Sequence, residues 1–261
     1  LIMNAFEKNS SLDYLSIFPK YSSPLQAYVP IITGCNNFCS YCVVPYARGR
    51  EISRPAEEII SEVNQLAKKN YKTITLLGQN VNSYQYTFSQ PNYFLDTKIK
   101  VKNINFPKLL DYLASNYPTI NFEFISSHPK DFSDELIKII AQHKNISREI
   151  HLPLQSGSDD ILRAMNRPYT QKHYLTLIKK ILALIPKASF TTDVIVGFPG
   201  ETEEQFQETV AVFKKVHYNE AYINKYSPRP GTAAYSLGNP ISWEEKKKRA
   251  LILRKLVHPL H

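Results

Sequence analysis

The sequence predicts an α/β fold with parallel strands, a sheet able to curl into a partial (β/α)6 barrel. Three observations carry that expectation. Six short β-like runs alternate with amphipathic helical stretches, the order that gives parallel sheets with right-handed crossovers. Loops rich in glycine and small polar residues follow those runs, at the strand ends where barrels of this kind keep their chemistry. The chain has 261 residues, 43% of them hydrophobic and 21% charged, enough to bury a sizeable core.

Residues 1–26 mix Ser, Lys, Asn and Pro without periodicity and read as a linker or extension. Ala27–Thr33 is the first strand. Arg54–Asn70 is a helix: Pro55 suits its first turn, and Ile59, Ile60, Val63, Leu66 and Ala67 recur at helical spacing. Thr73–Leu77 is a buried strand and Phe106–Asn116 the next helix. Ile120–Ser126 is the third strand, followed by a helix over 132–142. Glu149–Leu154 makes the fourth strand, with helical stretches over 159–165 and 170–185. Ser189–Val196 is the fifth, then Glu203–Val216 a helix. Glu220–Tyr226 is the sixth, and Trp243–Leu256 a closing helix. Residues 84–105, with Tyr86, Tyr93 and Phe94, form a long polar and aromatic insertion read as irregular. No chemistry is assigned to it. Residues 27–240 are expected to form one catalytic domain, with 241–261 as a helix leading towards a further domain.

Lys and Arg outnumber Asp and Glu by 32 to 23, a formal charge of +9. That excess favours a polyanionic partner such as RNA or DNA, although a chain rich in Lys, Asn, Ile and Tyr also reaches it by composition alone. No apolar run is long enough to span a bilayer, and the first thirty residues lack a basic start followed by an apolar stretch. The expectation is a cytoplasmic protein with no membrane partner.

All three cysteines, Cys35, Cys39 and Cys42, fall within eight residues. An odd number crowded into one polar loop points to a metal site rather than to disulfides. The C-x3-C-x2-C spacing brings three thiolates to one iron–sulfur cubane and leaves one iron open. A zinc site is the competing reading. It needs a fourth ligand, for which His128 and His151 are distant in sequence. Three unrelated buried thiols fit a polar loop flanked by Gly34 and Pro45 less well.

This spacing, with Tyr41 before the last cysteine, resembles the signature of radical S-adenosylmethionine (SAM) enzymes, whose fold is the TIM-like partial barrel. The resemblance implies a [4Fe–4S] cluster on Cys35, Cys39 and Cys42, with SAM chelating the open iron. It also implies Tyr41 near the adenine, one-electron cleavage of the sulfonium C–S bond and a 5′-deoxyadenosyl radical. It places Gly78, Gln79 and Asn80 near the SAM amino group, and the loop after the fourth strand adds Gln155 and Ser156 as expected cofactor-binding residues. An electron donor such as flavodoxin or ferredoxin is implied too.

The likeness extends further. Gly34–Arg54 (GCNNFCSYCVVPYARGREISR), Leu76–Tyr84, Ser126–Ile137, His151–Thr170, Thr191–Phe206 and Lys225–Ala234 are similar to the methylthiotransferases, and within them to the type that modifies tRNA. The implied reaction adds a methylthio group at C2 of N6-isopentenyladenosine in the anticodon loop of tRNA. An unactivated aromatic C–H needs radical chemistry, and an anticodon base is reachable outside a continuous stack. Alternatives within the family are threonylcarbamoyladenosine tRNA or a ribosomal-protein aspartate as substrate. Outside it, the alternative is a non-catalytic RNA-binding module with a structural metal.

Arg48, Arg50 and Arg54 flank the cysteines, where they either meet phosphate or the SAM carboxylate or form solvated surface. Tyr46 either stacks on a base or is buried. His128, before Pro129, reads as a cap or core contact. Asp193 interrupts a strand pattern where an apolar residue is expected, a candidate for binding SAM or ordering the barrel interior. Lys246–Arg249 reads as the wet face of a helix. Family members carry a second [4Fe–4S] cluster on three more cysteines and end in a small RNA-binding domain. This chain has neither set, so it is expected to be the central domain of a longer protein, competent for radical formation but not for sulfur insertion alone.

Overall fold

The computed structural model describes residues 15, 23, 25–92 and 101–257. Almost all of the expected extension over 1–26 lies outside them, as does 93–100 within the expected insertion. The chain divides into two compact units interleaved along the sequence. One takes Leu1–Asn36, Ala47–Ser127 and Asp131–Ser147, the other Asn37–Tyr46, His128–Lys130 and Arg148–His261.

In the first unit, β1 (Gln26–Pro30), β4 (Thr73–Leu77) and β7 (Asn121–Phe124) form a parallel sheet in the order β1-β4-β7. The register pairs Ala27 with Ile74 and Ile74 with Phe122, all three fully buried. The first strand is shorter than expected. Ile31 leaves the ladder, and β2 (Ile32–Thr33) pairs antiparallel with β3 (Ile52–Ser53), closing the chain around the cysteine segment.

Helix α2 (Ala56–Lys68) follows Pro55 and buries Ile59, Val63 and Leu66, with Glu57 and Glu58 in its first turn and Lys68 in its last. Those charges complement the helix dipole. Helix α3 (Phe106–Asn116) is capped by the Asn105 side chain, which accepts from the Lys108 N–H, and α4 (Asp134–Gln142) by Ser133, which accepts from Leu136. A short helix, α1 (Val44–Arg48), was not expected.

Part of the expected irregular insertion is an antiparallel hairpin of β5 (Gln85–Asn92) and β6 (Val101–Asn105). Phe88 and Ile104 are buried beneath it, and the Phe106 N–H donates to the Tyr84 carbonyl (3.1 Å) at its base. The alternation Tyr86, Thr87, Phe88 is a strand pattern, masked in the sequence by the polar residues around it.

In the second unit, β8 (Glu149–His151), β9 (Ser189–Val196) and β10 (Glu220–Lys225) form a second parallel sheet with β9 central. The helices are α5 (Asp159–Ala164), α6 (Gln171–Leu184), α7 (Glu203–Val216) and α8 (Trp243–Arg254). Thr202 and Gln205 form a reciprocal capping box at α7, and Ser242 caps α8. All six expected strands are thus present and pair in parallel.

Helix α8 corrects one expectation. Lys246 and Arg249, read as a solvated face, are buried. The Lys246 Nζ donates to the Tyr226 carbonyl (2.9 Å) and to Asn239, and its stem lies where a Cβ on Gly197 would be. Arg249 Nη1 donates to Glu201 Oε2 (2.8 Å), which also accepts from the Gly197 N–H (2.6 Å). Burial pushes the Glu201 carboxyl up, against the opposing pull of Gly197 and Arg249, and pushes Lys246 down. A run of four cations looks solvated in sequence. Helical spacing turns two of them inward to staple the loop after β9.

Candidate cofactor site

The cysteine segment begins at a backbone position that only glycine fits. Gly34 has φ +75°, and a Cβ there would lie 2.0 Å from the Arg50 carbonyl oxygen. The following N–H, of Cys35, donates to the Gly49 carbonyl (3.1 Å). Cys35 and Cys39 are buried, Cys42 half-buried, and none of the three is in a disulfide.

In the second unit, the segment is fastened to the end of α5. The Ser40 N–H donates to the Met165 carbonyl (3.0 Å), Ser40 Oγ to the Ala164 carbonyl (2.8 Å), and Asn166 Nδ2 to the Phe38 carbonyl (2.7 Å). The Ser40 carbonyl accepts from Ala234 (2.7 Å), and a turn joins the Cys42 N–H to the Cys39 carbonyl (3.0 Å). The distant stretches around Met165 and Ala234 are therefore the mould for this loop. Arg167 Nη1 donates to Cys39 Sγ (3.4 Å), and its Nε to the Tyr169 hydroxyl (3.1 Å). Burial pushes the Cys42 thiol up, with the Val44 N–H pulling the other way.

A cavity of about 500 Å³ opens beside the loop, lined by Tyr41, Cys42, Gln155, Asp193, Lys225 and Tyr226, with Arg229 among its other walls. Its size suits a nucleoside-sized ligand. Asp193 and Ile195, two apart on β9, both face it. Asp193 Oδ2 lies 3.1 Å from His151 Nε2, whose Nδ1 lies 2.9 Å from Thr191 Oγ1. Gln155 has φ +64°. Its N–H donates to the Asp193 carbonyl (2.8 Å) and its carbonyl accepts from Ile195 (3.0 Å), so the strain is held by a bridge to β9. Tyr41 packs on Ile161, Met165, Phe198, Tyr226 and Ala234, and burial pushes its phenol well up.

Four expected residues, Tyr41, Cys42, Gln155 and Asp193, thus line one cavity. Ser156 does not: it is fully buried, and its Oγ accepts from the Ser158 N–H (3.2 Å). Gly78, Gln79 and Asn80 follow β4 in the first unit. A Cβ on Gly78 would meet Ile32 Cγ2 at 2.2 Å. Gln79 Oε1 and Asn80 Oδ1 are buried without a hydrogen-bond partner among the described residues, while Asn80 Nδ2 donates to Asp131 (2.7 Å). Two acceptors left open in this way suit a donor such as an ammonium group.

Arg48 and Arg50 are exposed. Arg54 departs from the expectation of a phosphate contact. It is buried, its Nη1 donates to Glu62 and to the Pro30 carbonyl (3.4 Å), and its Nε to Glu58 (3.3 Å). His128 packs edge-on to Tyr169 (5.6 Å), and burial, with Arg167 and Lys130, pushes it down to about 2. Tyr46 is exposed, edge-on to Phe38. Among the described residues no three His, Cys, Asp or Glu side chains converge on a single-ion site.

Sequence reasoning missed Arg167, Lys225 and Tyr226. The strand-end rule points to the last two, since β10 ends at Lys225. Nothing in sequence marks Arg167, because a buried arginine looks like any other.

Residues 29–213 match the radical SAM superfamily. The chain is 42% identical over 254 residues to the tRNA-2-methylthio-N(6)-dimethylallyladenosine synthase of Endomicrobium trichonymphae, covering 97% of this chain and 57% of that protein. It is 48% identical over 230 residues to the synthase of that name from Thermoanaerobacter pseudethanolicus, covering 88% of this chain and 46% of that one. The chain thus spans about half the length of the curated relatives it matches. Among solved structures, the radical SAM methyltransferase TsrM from Kitasatospora setae superposes with a TM-score of 0.62 at 17% identity, over 80% of this chain and 38% of that one. This likeness shows the fold, of the partial-barrel class that the sequence pointed to.

Proposed function

The chain belongs to the radical SAM superfamily, and from that premise we propose that it is the radical-generating domain of a tRNA methylthiotransferase acting at C2 of N6-isopentenyladenosine beside the anticodon. The observation that carries this reading is the cavity that joins Tyr41 and Cys42 of the cysteine loop to Asp193, Gln155 and Lys225. The similarity to the tRNA-2-methylthio-N(6)-dimethylallyladenosine synthases over nearly the whole chain supports this choice of substrate.

The donor set fits the cofactors. Cys35, Cys39 and Cys42 would hold a [4Fe–4S] cluster, three thiolates being the complement that leaves one iron for SAM. Tyr41, Gln155 and Asp193 would hold SAM, while in the first unit the open Gln79 and Asn80 oxygens are suited to accept from an ammonium group. When bound, cluster and SAM supply the one-electron chemistry that breaks an unactivated C–H bond.

The chain's own residues bind and orient. His151 fixes the Asp193 carboxylate to accept from a ligand hydroxyl or ammonium. Tyr41 and Tyr226 supply apolar walls that exclude water, while Lys225 and Arg229 place positive charge in the cavity wall for carboxylate or phosphate. The +9 charge suits an RNA partner. A single-electron donor such as flavodoxin or ferredoxin is required. No helix among the described residues is long and apolar enough to cross a membrane, and a cytoplasmic location follows from a tRNA substrate. Residues 27–240 form the radical SAM domain in this reading, with 241–261 leading on. A second cluster would need ligands beyond the three cysteines of this chain.

The test is anaerobic reconstitution of the chain with iron and sulfide, followed by reduction with SAM and assay for 5′-deoxyadenosine, with Cys39→Ala as control. Product from the parent alone supports the radical SAM reading, and zinc in place of a cluster overturns it. The substrate is decided with the full-length protein, by whether hypomodified tRNA or ribosomal protein gains the methylthio group.

A further inference from the structure

Three arginines are buried among the described residues: Arg54 at 4% exposure, Arg249 at 5% and Arg167 at 8%. Arg54 faces the Glu62 carboxylate and Arg249 that of Glu201. Arg167 has no carboxylate partner among the described residues. Its charged hydrogen bond runs instead from Nη1 to Cys39 Sγ (3.4 Å). Nη2 is buried with no partner. The guanidinium does not sit there by accident of packing. Nε donates to the Tyr169 hydroxyl (3.1 Å), that hydroxyl is anchored on the Leu154 carbonyl (2.9 Å), and the cation lies 5.1 Å from the Tyr169 ring centroid. A buried guanidinium needs an anion, and the group on its open side is a cysteine sulfur.

We propose that Arg167 is a positioning residue for the iron–sulfur cluster, hydrogen-bonding the Cys39 thiolate and, through Nη2, a second sulfur of the same group, so that the reduced form is stabilised and the reduction potential is raised. This rests on the reading of the cysteine loop as a [4Fe–4S] site. One electron from a single-electron reductant converts [4Fe–4S]2+ to [4Fe–4S]+. Arg167 keeps its protons throughout and changes only the relative stability of the two states. N–H···S bonds and nearby positive charge favour the electron-richer sulfur, which is why hydrogen bonding to the sulfurs sets the potentials of such clusters. The arrangement also explains why the segment after α5 carries Met165, Asn166 and Arg167 in succession: the first two hold the loop backbone through Ser40 and Phe38, and the third reaches its sulfur.

The experiment uses the reconstituted 261-residue chain, with iron content and midpoint potential measured for the parent, Arg167→Lys and Arg167→Gln. With iron content equal, the expected order runs from the parent, most positive, through Lys to Gln, most negative. A loaded Gln variant with the parent's potential overturns the inference. A second measurement needs no substitution: parent chain labelled with 15N-arginine is reduced and examined by pulsed EPR. A guanidinium nitrogen coupled to the reduced cluster supports the contact, and absence of that coupling overturns it even if the variants fail to load. If the parent assembles no cluster, the reading of the site fails and the inference with it. A normal cluster whose potential ignores Arg167 sinks the inference alone.

Discussion

The Arg54 guanidinium lies against the Glu62 carboxylate, and both side chains are almost wholly removed from water, at 4% and 3% exposure. The arginine stands at the entrance of α2 and its partner two turns along, so the pair ties the start of the helix to the Pro30 carbonyl at the end of β1. Breaking a buried pair from one side strands a charge, which costs about 3–5 kcal/mol. Arg54→Ala is therefore expected to lower the unfolding free energy by about that amount in a urea titration. Unchanged stability, with weakened RNA binding instead, would return Arg54 to the phosphate-contact role.

Gly34 and Gly49 form a natural control pair. Both have positive φ, +75° and +76°, but a Cβ at Gly34 meets the Arg50 backbone while one at Gly49 meets nothing within 4 Å. Gly49→Ala is expected to cost only the left-handed penalty, about 1–2 kcal/mol. Gly34→Ala should cost more and reduce iron uptake on reconstitution, because the backbone leading into Cys35 must move. Equal effects of the two on melting temperature would refute the steric account.

His128 is held neutral, pushed down to about 2 by burial, Arg167 and Lys130. Its folded pKa lies below the ordinary 6.5, so the unfolded chain takes up a proton first as the pH falls. Its contribution to stability is present above 6.5 and is lost progressively below that value towards 2. Between pH 7 and pH 5 this one group is expected to remove about 2 kcal/mol of stability. His128→Asn should abolish that part of the loss, as read by melts of both proteins at the two pH values.

Asp193→Asn tests the cavity. A hydrogen bond to a charged group is worth about 1.5–3 kcal/mol, so SAM affinity of the cluster-loaded chain is expected to fall by about 10- to 100-fold with iron content unchanged. Ser156→Ala, at a buried position outside the cavity lining, should leave SAM affinity as it was. Equilibrium dialysis against labelled SAM distinguishes the two. Equal loss in both variants would locate the ligand elsewhere.

The helices show how far local pattern reaches. Phe106–Asn116 and Glu203–Val216 have the bounds that periodicity and caps predict, because Asn105 and Thr202 act within one turn of their own helices. The hairpin over Gln85–Asn92 and Val101–Asn105 was not legible. Its strands are defined by pairs such as Gln85 with Asn105 and Tyr86 with Ile104, a relation between residues well apart in the chain.

The sequence by itself determined the order of the six parallel strands and the helices between them, and the crowding of Cys35, Cys39 and Cys42 into one loop. Each depends on spacing within a few residues, which the backbone periods of 2 and 3.6 convert directly into geometry. Tertiary structure alone decided the fates of the cations. Arg48 and Arg50 face water, Arg54 and Arg249 are buried against glutamates, Lys246 fills the space over Gly197, and Arg167 reaches the Cys39 sulfur. A charged side chain follows the partner that compensates its desolvation, and those partners lie as much as 128 residues away along the chain.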